Sequence, residues 1–278
     1  MPVSEPSAIP SASPWRRYPA LYAALWRNSV TREMQFKSNF LLWIVVEALW
    51  FGLQLSFMSI LYRHTEAVAG WTRWEVILLV GCSHFIQQVF TAFFLTNLTD
   101  ISEHIRTGRL DFMLLLPVNT RFLVSFRKVD LGAFVNAASA VGVMVWALRH
   151  LGRWPGIGEM GGFVLLSAAG LLVHYSLMFL LTSVAFWTVR VQGVVWGYYN
   201  LFNIARIPEG AIPKGAYRAV FTWVFPMILV SNVPSQTLLG TLKSPFPALA
   251  LVGLSGACFA VSEWVWRRAL RRYSSASA

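Results

Sequence analysis

Charged residues are scarce in this chain. Asp, Glu, Lys and Arg make up 13% of its 278 residues, about half the roughly 25% of a soluble domain. Acidic side chains are the rarer kind, 12 against 23 basic. Cysteine is nearly absent. Cys82 and Cys258 each stand alone in an apolar run, which excludes a disulfide framework and leaves no thiolate set for a metal. No Gly-x-x-x-x-Gly-Lys-Ser/Thr string occurs, so the chain has no recognisable phosphate loop of its own. His-Glu-x-x-His is missing too, and with it the commonest zinc-hydrolase signal. The first fourteen residues are Pro- and Ser-rich with no apolar leader core, and residues 1–17 are expected to be a disordered tail.

What is abundant is apolar: 56% of residues are hydrophobic, and the mean hydropathy is +0.55. Thirteen Trp and eight Tyr suit a protein with two membrane–water interfaces. The formal charge of +11 lies in clusters between apolar runs. That pattern points to membrane topology and anionic lipid rather than nucleic acid.

Residues 18–38 read as an amphipathic interfacial helix, with Tyr22, Trp26 and Met34 among basic residues. A first span follows over about 40–62, close to the ~20 residues that a bilayer needs. It carries Glu47 and Gln54, seven apart and therefore on one face. The second span, about 74–98, has His84, Gln87 and Thr91 on one face and Gln88 beside them. The third, about 129–148, has a side of small residues that lets helices approach closely in lipid. A Gly-rich loop at 152–162 precedes the fourth span, about 163–189, which holds His174. A fifth over about 191–204 is the poorest candidate. Residues 217–239 are apolar but interrupted by Pro226 and Pro234, which suits a re-entrant hairpin. The last span is about 246–266, followed by a basic tail at 267–278.

Basic residues decide the topology. With six crossings, one side holds Arg16, Arg17, Arg27, Arg32 and Lys37, then Arg106, Arg109, Arg121, Arg127 and Lys128. Arg190 and the terminal Arg267, Arg268, Arg271 and Arg272 bring that side to fifteen. The other side holds eight: Arg63, Arg73, Arg149, Arg153, Arg206, Lys214, Arg218 and Lys243. Positive residues favour the cytoplasm. Both termini and the polar stretch 100–117 are therefore expected to be cytoplasmic, in a cytoplasmic (inner) membrane.

A carboxylate such as Glu47 is costly in hydrocarbon and usually faces a cavity or a partner. Glu47, Gln54, His84 and Gln87 are accordingly candidates for a translocation path, although interhelical hydrogen bonds also explain the amides and the histidine. Gly253-Leu254-Ser255-Gly256 resembles the nucleophile motif of rhomboid intramembrane proteases. A serine nucleophile needs a base, and the last histidine, His174, precedes Ser255 rather than following it. No catalytic residue and no metal ligand is assigned.

The polar stretch runs Ile105-Arg106-Thr107-Gly108-Arg109-Leu110-Asp111-Phe112-Met113-Leu114-Leu115-Leu116-Pro117. It resembles the cytoplasmic motif of a bacterial branch of the ABC type-2 exporter permeases, Ile-Arg-x-Gly-x-Leu-Asp-x-x-Leu-Leu-x-Pro. Gly70-Trp71, Val224-Phe225-Pro226 and Asn232-Val233-Pro234 extend the likeness over nearly the whole chain from Tyr18. Leu116 replaces the usual basic residue before the proline. The resemblance implies an all-α membrane domain of six spans with a coupling helix, here 100–110, seated on a separate ATPase. That partner would bind the ATP and Mg, and this chain would hold no cofactor. Asp100, Glu103, Arg106 and Arg109 would give the coupling helix its charged contacts, with Glu103 and Arg106 the best salt-bridge candidates. Ile101 and Ile105 would give its apolar ones. A second permease, identical or related, would pair through spans one, two and five. Two other classes remain open on the residues alone: a stand-alone ion- or proton-coupled carrier centred on Glu47, and the serine protease.

Overall fold

A computed structural model of the protein describes residues 14–35, 37–188 and 192–273, nearly all of them helical. Helix α1 (Pro14–Gln35) precedes α2 (Lys37–Leu61). A two-residue turn with positive φ at Ala69 and Gly70 then closes a short hairpin, β1 (Ala67–Val68) on β2 (Trp71–Thr72). Positive φ at both turn positions is the mirror-image geometry that suits a tight hairpin, and it explains the glycine. Helix α3 runs from Arg73 to Arg106. Its 34 residues extend about 51 Å at 1.5 Å each, well beyond a bilayer core of ~30 Å. Its last turns must therefore project from the membrane. A π-helical segment, Thr91–Leu95, interrupts it.

Gly108, with φ +69°, stops α3 in the left-handed conformation that a β-carbon disfavours. Two short helices, α4 (Arg109–Leu114) and α5 (Thr120–Phe126), lead to α6 (Leu131–Leu151). The side chains of Asn119 and Asp130 cap α5 and α6 by accepting from Phe122 N and Ala133 N. Helix α7 (Ile157–Ser183) ends in a 3-10 turn, and α8 (Gln192–Leu201) continues into another over Phe202–Arg206. Helices α9 (Ala216–Val224) and α10 (Met227–Leu239) meet at Pro226 with a bend of 76°. Helix α11 (Phe246–Arg272) closes the chain.

Among the described residues, five helices are long and apolar enough to cross a membrane: α2, α3, α6, α7 and α11. The packing supplies the sixth traverse. Phe179 meets Trp266 and Phe186 meets Tyr273, so α7 and α11 run parallel. The chain between them must recross the bundle. It does so through α8, whose Tyr199 lies against Thr91 and whose following turn places Ala205 O on Ser83 Oγ. Gly210 then packs on Ala69 in the hairpin between α2 and α3. Ten α-helical residues and five 3-10 residues reach about 25 Å. That is short of the ~30 Å of a bilayer core.

The α9–α10 pair adds no crossing. The start of α9 is tied to the chain near Gly210 by the Arg218–Glu209 ion pair. The end of α10 lies by Gly162 and Arg153, near the start of α7. Between them the elbow dips until Val230 touches Gly170, midway down α7, where a β-carbon would come within 2.9 Å of the valine. Both limbs leave by the side on which they entered, so the element is re-entrant. Pro226 alone makes the break, and Pro234 lies inside α10.

Other boundaries move. The glycines of 158–162 are helical, because α7 begins at Ile157 with Glu159 accepting from Gly156 N. There Gly162 lets Thr237 of α10 come close. Residues 14–17 of the expected tail belong to α1, and the basic residues through Arg272 belong to α11. Arg190 lies outside the described residues.

Candidate functional site

A cavity of about 590 Å³ lies between α2, α3 and α8. Glu47, Gln54, His84 and Gln87, all foreseen as path residues, line it together. Glu47 receives the Gln88 amide at 3.3 Å. His84 stacks flat on Phe51, ring centroids 3.9 Å apart, and neither ring nitrogen makes a hydrogen bond. Trp50, Leu53 and Phe57 form an apolar wall, while Tyr199, Asn200 and Asn203 supply polar groups from α8 and the turn after it.

The cavity also contains a cation that was expected in an outer loop. Arg206 reaches back from the end of the fifth traverse and donates to Gln54 Oε1 and Gln87 Oε1. The two glutamines are thus committed to an internal guanidinium. Their spacing carried no signal of it, because Arg206 comes from an element 119 residues beyond Gln87.

The polar stretch forms an elbow at the opposite end of α3 from the β hairpin. Glu103 and Arg106 are paired to each other, Nη2 to Oε1 at 2.8 Å and Nε to Oε2 at 3.0 Å, on the solvent side. The Arg106 guanidinium holds the Glu103 carboxyl below its ordinary value. Arg109 is exposed. Asp100 is bound to Lys128. Ile101 departs from expectation: it is wholly buried in the protein's own core, so it is closed to a partner. Ile105 is half-buried against the same core. The exposed apolar side chains here are Phe112, Leu114, Leu115 and Leu116 on and after α4, with Leu115 81% exposed. Thus Glu103, Arg106 and Arg109 are open to solvent, while Asp100 and the isoleucines hold the elbow in place.

Ser255 donates its hydroxyl to Val252 O at 2.7 Å, and His174 shares a hydrogen bond with Tyr198 at 3.1 Å. Both residues act in helix packing. Cys82 and Cys258 form no disulfide.

A family model described as ABC-2 family transporter protein matches residues 48–277. The chain belongs to that family. No curated protein matches it. As an ABC-2 protein it is the permease component of an ABC transporter, and membership implies association with an ABC ATPase. One further feature of this ABC-2 permease lay outside the reach of sequence reading. Arg121, counted there only as a cytoplasmic charge, is 7% exposed. It donates to Tyr175 Oη at 3.0 Å, Ser262 Oγ at 2.8 Å and Glu263 Oε2 at 2.5 Å. The rings of Phe179 and Phe259 each lie 4.3 Å from its guanidinium carbon. Arg121 borders a second cavity, of about 660 Å³, whose walls are mostly apolar. Each of its three nitrogens donates to a protein partner and its guanidinium lies against two rings, so its role is to hold helices together.

Proposed function

We propose that this permease is the membrane subunit of an exporter driven by a separate ATPase that docks on the α3–α4 elbow. Both termini and the elbow face the cytoplasm of a bacterial inner membrane, and nucleotide-driven closure of the ATPases moves the elbow. Two permeases, identical or related, pair across α2, α3 and α8. Substrate passes along that interface through the cavity holding Glu47, Gln54, His84 and Gln87. The convergence of those four side chains on one cavity carries the reading. Support also comes from α2, whose Leu49, Trp50, Leu53 and Phe57 are all more than 60% exposed beside the cavity mouth. That face is suited to lipid or to a second copy. No covalent chemistry is assigned to the chain, and ATP and Mg belong to its partner.

The test is purification from native membranes followed by transport in inside-out vesicles. A stoichiometric ATPase should accompany the permease, and vesicles should accumulate substrate only with hydrolysable ATP. In a background with Cys82 and Cys258 replaced, W50C should lose transport on reaction with a bulky thiol reagent. Recovery without an ATPase, together with ATP-independent uptake, would instead establish a stand-alone carrier.

A further inference from the structure

The cavity holds two opposite charges and keeps them apart. Glu47 and Arg206 both line it, yet they form no ion pair. Among the described residues no carboxylate lies within salt-bridge distance of Arg206. Instead each charge has its own glutamine, and the two are neighbours on α3: Gln87 accepts from Arg206, and Gln88 donates to Glu47. In a low-dielectric site a direct ion pair would be the simplest way to offset the desolvation of both groups. The arrangement forgoes it.

Neither charge is saturated. A guanidinium has five N–H donors. Arg206 commits one Nη1 and one Nη2 hydrogen to neutral amide oxygens, and its buried Nε makes no bond. Glu47 accepts one amide hydrogen at 3.3 Å. The remaining wall is largely aromatic, with Trp50, Phe51 and Phe57.

We propose that the cavity recognises a zwitterionic amphiphile, with its anionic group on Arg206, its cationic group at Glu47 and its apolar body along Trp50 and Phe57. This inference rests on the reading of the cavity as the substrate path. Both protein charges are half-buried, so a ligand bearing both complements gains charge-assisted hydrogen bonds at each end. A singly charged amphiphile leaves one protein charge unmatched.

The probes are four octyl-chain compounds: a sulfobetaine, a sulfate, an ammonium and a neutral glucoside. Each is added below its micelle concentration to the permease–ATPase complex in vesicles, and stimulation of ATP hydrolysis is measured. The sulfobetaine should act at the lowest concentration. R206Q should raise its half-maximal concentration, and that of the sulfate, by about tenfold, as expected for the loss of a charge-assisted hydrogen bond, without shifting the ammonium response. E47Q should give the mirror result, and R206K should retain part of the sulfobetaine response. Equal stimulation by all four probes, or stimulation strongest with a singly charged or neutral probe, overturns the proposal while leaving the path intact if modified W50C still blocks transport. If no probe stimulates and modified W50C transports normally, the path reading falls as well. Loss of permease pairing in R206Q, measured by cross-linking, would reassign Arg206 to the subunit interface and overturn the proposal.

Discussion

Arg121 on α5 and Glu263 on α11 stand 142 residues apart in sequence, with Nη1 and Oε2 at 2.5 Å. The pair staples the turn between α3 and α6 to the last helix. The glutamate keeps 24% side-chain exposure against 8% for the arginine, so removing the arginine leaves a carboxylate that is only partly rehydrated. R121A should cost about 3 kcal/mol, the low end for breaking a buried pair, read as a lowered melting temperature in detergent. Removing both partners should cost less than the sum of the two single losses. Strictly additive losses would show that the pair is not coupled.

At the elbow, internal pairing and partner docking make different demands on Glu103 and Arg106. Each single reversal, E103R or R106E, should sharply reduce ATPase co-purification. The double swap restores the internal pair but presents it in reverse, and it should remain unable to hold the ATPase. Full recovery in the double swap would mean that the pair serves only α3. Because Arg106 lowers the Glu103 pKa, the pair's contribution persists above the ordinary carboxylate value and is lost only as pH falls through the depressed one. Changes between about pH 6 and 8 should therefore not act through this pair.

Gly108 tests whether the shape of the elbow matters. At φ +69° a β-carbon costs about 1–2 kcal/mol, while open space surrounds the position apart from Asp111 at 3.6 Å. G108A should leave the permease in the membrane yet lower transport relative to ATP hydrolysis, measured together in vesicles. An unchanged ratio would show that the bend is dispensable.

Gly170 makes the corresponding test for the re-entrant element. An added β-carbon would lie 2.9 Å from Val230 Cγ1 and 3.0 Å from its carbonyl oxygen, and backbone cannot yield as a side-chain tip can. G170L should destabilise by roughly 1–3 kcal/mol, the usual range for overpacking. It should also expose α10 to a membrane-impermeant label through S235C, which is closed in the native packing because Ser235 is fully buried. Wild-type labelling rates would place the elbow elsewhere.

Hydropathy made the long spans legible, and proline marked the re-entrant break at Pro226. The residues of the cavity between α2, α3 and α8 were partly legible too, since Glu47 with Gln54 and His84 with Gln87 share helix faces by spacing alone. What stayed hidden depended on distant partners. Arg206 looks like a loop charge until the fifth traverse folds back to Gln54 and Gln87. Ile101 looks available on a polar stretch, yet tertiary packing buries it. The short fifth traverse lacks the length on which hydropathy relies. The glycines in the first turns of α7 look like a loop because their helical cost in water is real, but close packing against α10 makes a small residue useful at Gly162.

The start of α6 gathers several elements onto four residues. Lys128 exchanges backbone–amide bonds with Asn97 and pairs with Asp100. Val129 N donates to Ser29 of α1. Asp130 N reaches the Ala92 carbonyl within the π-helical segment, and Leu131 N faces Glu33. In mechanical terms this is a yoke. A displacement imposed on the lower end of α3 is shared at once with α1 and α6, so the elbow drives three helices in common instead of bending one lever.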